Sequence, residues 1–255
     1  MNIRNSNRLK LIYNDNMISC NANEQIKEYS LLIDSKDRNY QVYPDPFSYT
    51  ITIDPVASTK ELIGNEYVTF ETPTPVILGS IINVKYIRLE EVILPMYNRI
   101  WDVRKKDGMF RKEVMTVKPL TENLYTVLTL GSKFEDENYR STNDVLSKSF
   151  STIYYDCNAN ATHYFGRISN GIKIYPPNGL IKLDKLNINF MDPYGNPIVC
   201  SHLDKNIKSS MICTCDDPEG DLYTTCFKHN LSHPLNPIFQ NHLHLKIGVV
   251  ESFIR

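Results

Sequence analysis

The residues with the widest chemical range lie in the last third of the chain: Cys200, His202, Cys213, Cys215, Cys226, His229 and His233. Thiolate and imidazole are the ordinary ligands of zinc, so a metal-binding enzyme or a structural zinc site is one reading of them. Structural zinc sites present paired ligands at regular spacing, whereas here Cys213-x-Cys215 is followed by Cys226-x2-His229. The expectation is therefore of thiols packed as small apolar groups and histidines on solvated loops, with no cofactor. His242 and His244 stand two apart, which on a strand puts both on one face. They could flank a metal there, or belong to a polar outer surface, which is the arrangement expected. No nucleophile elbow, Gly-rich phosphate loop or H-E-x-x-H helix occurs. Glu90 and Glu91 are adjacent and would point apart on a strand, while paired acid and base chemistry usually draws its carboxylates from different elements. A non-enzymatic protein is expected.

A second concentration of chemistry is electrostatic. Arg104, Lys105, Lys106, Arg111 and Lys112 flank Asp107-Gly108, a dipeptide that favours a hairpin turn. They read either as a solvated hairpin tip or as an interaction site for an acidic neighbouring subunit or lipid headgroups. Over the whole chain, 28 Lys and Arg meet 29 Asp and Glu, so no global field draws the protein to nucleic acid, and no specific nucleic-acid partner is expected.

The elements that must carry these residues read as short strands. From Tyr29 onward, apolar runs alternate with Pro, Gly, Asn and Asp breakers, the pattern of a sandwich or barrel and not of βαβ units. In residues 184–190, Leu186, Ile188 and Phe190 alternate with Asn187 and Asn189; in 242–249, Leu243, Leu245, Ile247 and Val249 alternate with polar residues and Gly248. Each is a half-buried antiparallel strand. Residues 81–94 are apolar on both parities, as suits a central strand covered on two sides or two strands meeting at a bulge. Further strands are expected at 47–53, 67–70, 113–118, 124–130, 172–175 and 222–227. One short helix is expected after a cap at Ser141 or Thr142, with Leu146, Phe150 and Ile153 at helical spacing. The 16 Tyr suit half-buried strands and subunit interfaces. Residues 1–28 are polar and Asn-rich and read as an extended N-terminal arm, with 29–255 as a β-sandwich domain, of one unit or two sub-sandwiches. No signal-length or membrane-spanning apolar run is present, which predicts a chain made in the cytosol and not secreted.

Residues 31–54, LLIDSKDRNYQVYPDPFSYTITID, combine these signals most densely. Leu31-Leu32-Ile33 begins as strand. Asp34, Ser35 and Asp37 can bond nearby backbone and fix a turn, and Arg38 can brace an acceptor. Tyr43-Pro44-Asp45-Pro46 must run extended, since each Pro fixes its own φ and pushes its predecessor out of the helical region. The expected product is strand, stiff loop, strand, with Asp34, Asp37, Arg38, Tyr43, Pro44 and Pro46 shaping a scaffold.

This block resembles one found in minor capsid proteins of large icosahedral double-stranded DNA viruses, the nucleocytoplasmic type that includes chloroviruses and mimivirus-like viruses. The likeness continues, in order, through residues 84–95, Ser141-Thr142-Asn143-Asp144, 186–190 with Asp192-Pro193-Tyr194-Gly195, and 244–251. The resemblance implies an all-β, mainly antiparallel β-sandwich, of jelly-roll-like form as one arrangement. It implies a structural role beneath the outer shell, cementing or bridging capsomers, in a virion assembled in the host cytoplasm. The implied partners are the major capsid protein, other minor capsid proteins and the inner viral membrane surface, with no catalytic residue carried over. The rival reading is a β-sandwich binding module of the virion for a glycan or host receptor; a metal-binding enzyme ranks behind both.

Overall fold

The computed structural model of the protein describes residues 24–53, 60–63, 66–69, 79, 81–105, 112–131, 141–156, 162–175, 180–207, 227–228 and 230–252. The chain is all-β and its strand pairings are antiparallel. In order the strands are β1 (Glu24–Asp34), β2 (Ser48–Thr52), β3 (Lys60–Ile63), β4 (Glu66–Thr69), β5 (Ile81–Pro95), β6 (Tyr97–Lys105) and β7 (Lys112–Pro119). There follow β8 (Thr126–Thr129), β9 (Ser151–Asp156), β10 (His163–Ser169), β11 (Ile172–Ile174), β12 (Leu180–Leu183), β13 (Lys185–Met191) and β14 (His242–Ser252), and among the described residues one α-helix, α1 (Asp144–Ser147), lies between β8 and β9.

Ten strands form one curled sheet in the order β1-β14-β5-β10-β9-β8-β13-β2, with β11 and β12 also on β5. β5 is its spine: β14 lies along one side, and β12, β11 and β10 follow one another along the other. Of the two causes expected for the double-parity pattern of 81–94, the structure shows the first, one continuous central strand, with irregularities in its pairing and no division into two strands. Val84, Lys85, Tyr86 and Ile87 are buried in succession, and the β5–β14 register shifts twice, between His244 and Leu245 and between Gly248 and Val249. The second irregularity has a steric partner. A Cβ on Gly248 would meet the Tyr86 ring at 2.1 Å, so the ring lies across the glycine on the outer face.

The curl brings the inner faces of both ends of the sheet onto one core. Leu243, Leu245, Ile247 and Val249 of β14 join Leu186, Ile188 and Phe190 of β13 and Tyr49 and Ile51 of β2 in a single buried cluster. Period-two alternation is what makes this possible, since it lets each strand give one complete face to the core. Phe47 and Phe190 meet edge to face at 5.7 Å, and each buried ring contributes roughly 2–3 kcal/mol by removal from water. On the opposite face of β13, Asn189 and Asn187 accept hydrogen bonds from Ser48 and Thr50 of β2, at 2.7 and 3.1 Å.

Two expectations shift at their edges. The helix is a single turn, with Asn143 as its N-cap accepting from the Val145 amide, and neither Ser141 nor Thr142 holds that position. Phe150 and Ile153 lie beyond it, the latter in β9. Their helical spacing is a coincidence of a turn followed by a strand whose buried face begins at once. The arm boundary also moves, because β1 begins at Glu24 and pairs with β14 through all of 24–28. Residues 1–23 and nearly all of the strand expected at 222–227 lie outside the described residues.

Candidate functional site

The 31–54 block is held by a buried polar knot centred on Arg38. β1 ends at Asp34, and a 3-10 turn over Ser35–Asp37 delivers Arg38 into the interior, where only 3% of it remains exposed. Its guanidinium makes five hydrogen bonds. Nε donates to the Tyr43 carbonyl at 2.8 Å; one terminal nitrogen donates to the Ser35 carbonyl at 2.5 Å and Gln240 Oε1 at 2.7 Å; the other donates to the carbonyls of Pro44 at 2.8 Å and Pro234 at 2.7 Å. This saturates the fork of five N–H donors that guanidinium presents. Every acceptor is a neutral oxygen, so burial lowers the Arg38 pKa, to about 10, and the group stays cationic at neutral pH.

The extended Tyr43-Pro44-Asp45-Pro46 run fits this geometry because its fixed φ angles turn successive carbonyls toward one point. Pro46 offers its own carbonyl to Asn241 Nδ2 at 2.6 Å. Asp45 closes the loop from the other side: its two carboxylate oxygens accept from the amides of Phe47 and Cys200, each at 2.9 Å. Burial pushes the Asp45 carboxyl up, while those amides and the Arg38 charge pull it back toward ionisation.

The opposing half of the knot comes from the segment before β14. Ser35 Oγ donates to Gln240 Oε1 at 2.9 Å and accepts from the Asn241 amide at 2.8 Å. Gln240 Nε2 donates to the carbonyls of Pro234 and Asn236, and the Tyr49 hydroxyl donates to Asn241 Oδ1 at 3.2 Å. Two amide side chains thereby stitch the first loop of the domain to its last strand, about 200 residues later. Nothing in the sequence advertised Gln240 and Asn241, because amide side chains carry no periodicity and their partners are remote.

The other block residues are placed as follows. Asp34 lies 2.7 Å from His242 Nδ1 and 3.4 Å from Lys36 Nζ. Burial pushes its carboxyl up, but these partners outweigh that and hold it below the usual carboxylate range. Asp37 is exposed on the 3-10 turn, and half-buried Tyr43 packs against the core. Asp34 and Ser35 were expected to bond nearby backbone. Asp34 instead bonds side chains, and Ser35 Oγ reaches across to Gln240 and Asn241, while the local turn bonds come from Asn39 and Asp45.

The thiol and imidazole residues do not converge where they are described. Cys200 is buried and reduced, its thiol pushed up by burial. The His202 ring meets Phe239 at 4.7 Å, and His233 is buried beside Tyr40 and Phe227. Among the described residues no cluster of three or more His, Cys, Asp or Glu is set to hold a metal; Cys213, Cys215, Cys226 and His229 lie outside them. His242 and His244 share the outer face of β14. The basic hairpin exists as a backbone ladder in which Arg104 faces Glu113 and Lys105 faces Lys112, with Lys106 and Arg111 outside the described residues. The remaining charges of note form a network on the outer face of β1, β14 and β5. Glu28 accepts from the Tyr86 hydroxyl and lies 3.7 Å from Arg88 and 3.8 Å from Lys246, and Arg88 also pairs with Glu90.

An uncharacterised protein of Acanthamoeba polyphaga mimivirus is 56% identical to this chain over 236 residues, which span 91% of the chain and 80% of the viral protein. The chain belongs to the family of that protein. Its origin is accordingly among the large DNA viruses. No protein-family model matches the chain. Among the described residues no helix is long and apolar enough to cross a membrane.

Proposed function

We propose that the protein is a structural component of the virion, a minor capsid protein that cements or bridges major-capsid capsomers beneath the outer shell. The observation that carries this reading is the Arg38 knot. The arginine at the centre of the block that resembles minor capsid proteins serves rigidity and not a ligand: its guanidinium has all five donors bonded to the protein's own oxygens. A loop welded to the last strand suits a building block that transmits load between neighbours. Viral kinship with the mimivirus protein supports the same reading.

In this account the mechanism is adhesion. Sheet faces, the basic hairpin of β6 and β7 and the exposed turn tips bury area against capsomers, against other minor capsid proteins or against the inner membrane surface. Modest contacts become durable because each copy is held at several points of a lattice. Quantitative mass spectrometry of purified particles tests the reading: the protein is expected at a copy number in simple proportion to the major capsid protein. Its absence from particles that contain the rest of the shell would overturn the proposal.

A further inference from the structure

Among the described residues β1 is an edge strand whose outer side carries no partner. It pairs with β14 without a register shift from Glu24–Ser252 to Asp34–His242, and no strand among the described residues lies along its other side. At about 3.4 Å per residue it spans roughly 37 Å, long for an edge. Natural edges of this kind are blunted by proline, by bulges or by charges that project over the edge. β1 has no proline and no bulge. Its two central charges are drawn back onto its own sheet: Lys27 lies 3.4 Å from Glu251 and over the Tyr29 ring, and Glu28 is engaged by Lys246 of β14 and, beyond it, by Tyr86 and Arg88 of β5. What remains exposed beside them includes Ser30, Leu32 at 63% and the ring of Tyr29 at 38%, whose hydroxyl donates to Glu251 at 3.1 Å.

We propose that β1 pairs antiparallel with β1 of a second copy of this chain about a two-fold axis at Tyr29, joining the two curled sheets into one. Directly opposed residues in such a pair share a sheet face, so only registers that match parity are allowed. With Tyr29 facing its own copy, Ile26 faces Leu32, Lys27 faces Leu31 and Glu28 faces Ser30. The exposed Leu32 thus gains an apolar partner, and the two tyrosines meet on the axis. Moving the axis by one residue to Glu28 sets two carboxylates against each other, and moving it to Ser30 sets Ile26 against Asp34 and Glu28 against Leu32. Like charges meet only at the strand ends, Glu24 against Asp34, where Asp34 is already engaged by His242 and Lys36. A pairing of this kind falls at the small end of specific interfaces, below about 1,200 Å², so the dimer is concentration dependent. It stands apart from the capsid reading, which a monomer would leave untouched.

The test uses the full-length protein in sedimentation velocity from about 1 to 100 µM, the range in which a weak edge dimer dissociates. Wild type is expected to double in mass across that range. Tyr29→Lys, which sets two cations on the axis, is expected to stay monomeric with an unchanged circular dichroism spectrum. Under mild oxidation Tyr29→Cys is expected to form a covalent dimer above the wild-type background. Leu32→Cys is not, since its introduced thiols would lie about 20 Å apart. A wild type monomeric throughout, a Tyr29→Lys variant that still dimerises, or equal cross-linking by both thiol variants would each overturn the proposal.

Discussion

Replacing Arg38 tests the knot most sharply, because its five donors all end on protein oxygens. Hydrogen bonds from a charged group contribute about 1.5–3 kcal/mol each, which gives a gross loss of roughly 7–15 kcal/mol for Arg38→Met. Removing the cation also relieves its desolvation cost, several kcal/mol for a buried ion, at the expense of its attraction to the Asp45 carboxylate. The balance is a net loss of about 3–5 kcal/mol, a large part of the 5–15 kcal/mol typical of a whole domain. Arg38→Lys keeps the charge but brings three donors to five acceptors, so at least two acceptors lose a charged donor and the loss is about 2–4 kcal/mol. Urea unfolding followed by circular dichroism measures both. A Gln240→Ala cycle with Arg38→Met should show coupling of about 0.5–3 kcal/mol, because the two side chains bond directly. If both arginine variants unfold within about 1 kcal/mol of wild type, the carbonyls are being satisfied by water and the knot is not what holds the block.

Three further outcomes follow from the geometry. Gly248→Ala places a methyl group where the Tyr86 ring now lies, so the ring must leave Glu28; a loss of about 1–3 kcal/mol is expected in thermal unfolding. Asp34→Asn should cost less than about 1 kcal/mol near neutral pH, since the carboxylate is partly exposed and screened. Because the folded protein holds this carboxyl below its unfolded value, its stabilisation is present above the ordinary carboxylate pKa and fades as pH falls through the folded one. Wild type and variant should therefore converge in acid, and a difference that grows on acidification would contradict the assignment. Cys200 should resist alkylation in the native protein and react on unfolding, as peptide mapping would show, because its thiol is buried and pushed up.

Much of the sheet was legible because half-buried strands announce themselves. β13 and β14 alternate without a break, and each buries the face its pattern marks. The outer half of β1 was missed for the opposite reason: Gln25, Lys27, Glu28, Tyr29 and Ser30 are exposed, so no alternation exists to be read. Phe150 and Ile153 misled in the other direction, since three-residue spacing is shared by helices and by a turn that runs into a strand. Within the site, the prolines and Arg38 were readable from local backbone chemistry. Gln240, Asn241 and their pairing with Ser35 were not, because a bond that spans some 200 residues leaves no local trace.

The central claim, a cementing role beneath the outer shell, is tested most directly by cross-linking mass spectrometry on intact particles combined with protease treatment before and after the shell is opened. Cross-links from this protein to the major capsid protein are expected, with resistance to protease until the shell is breached. Complete digestion from intact particles, with no cross-link to a capsomer, would contradict it and indicate an outward-facing attachment module instead.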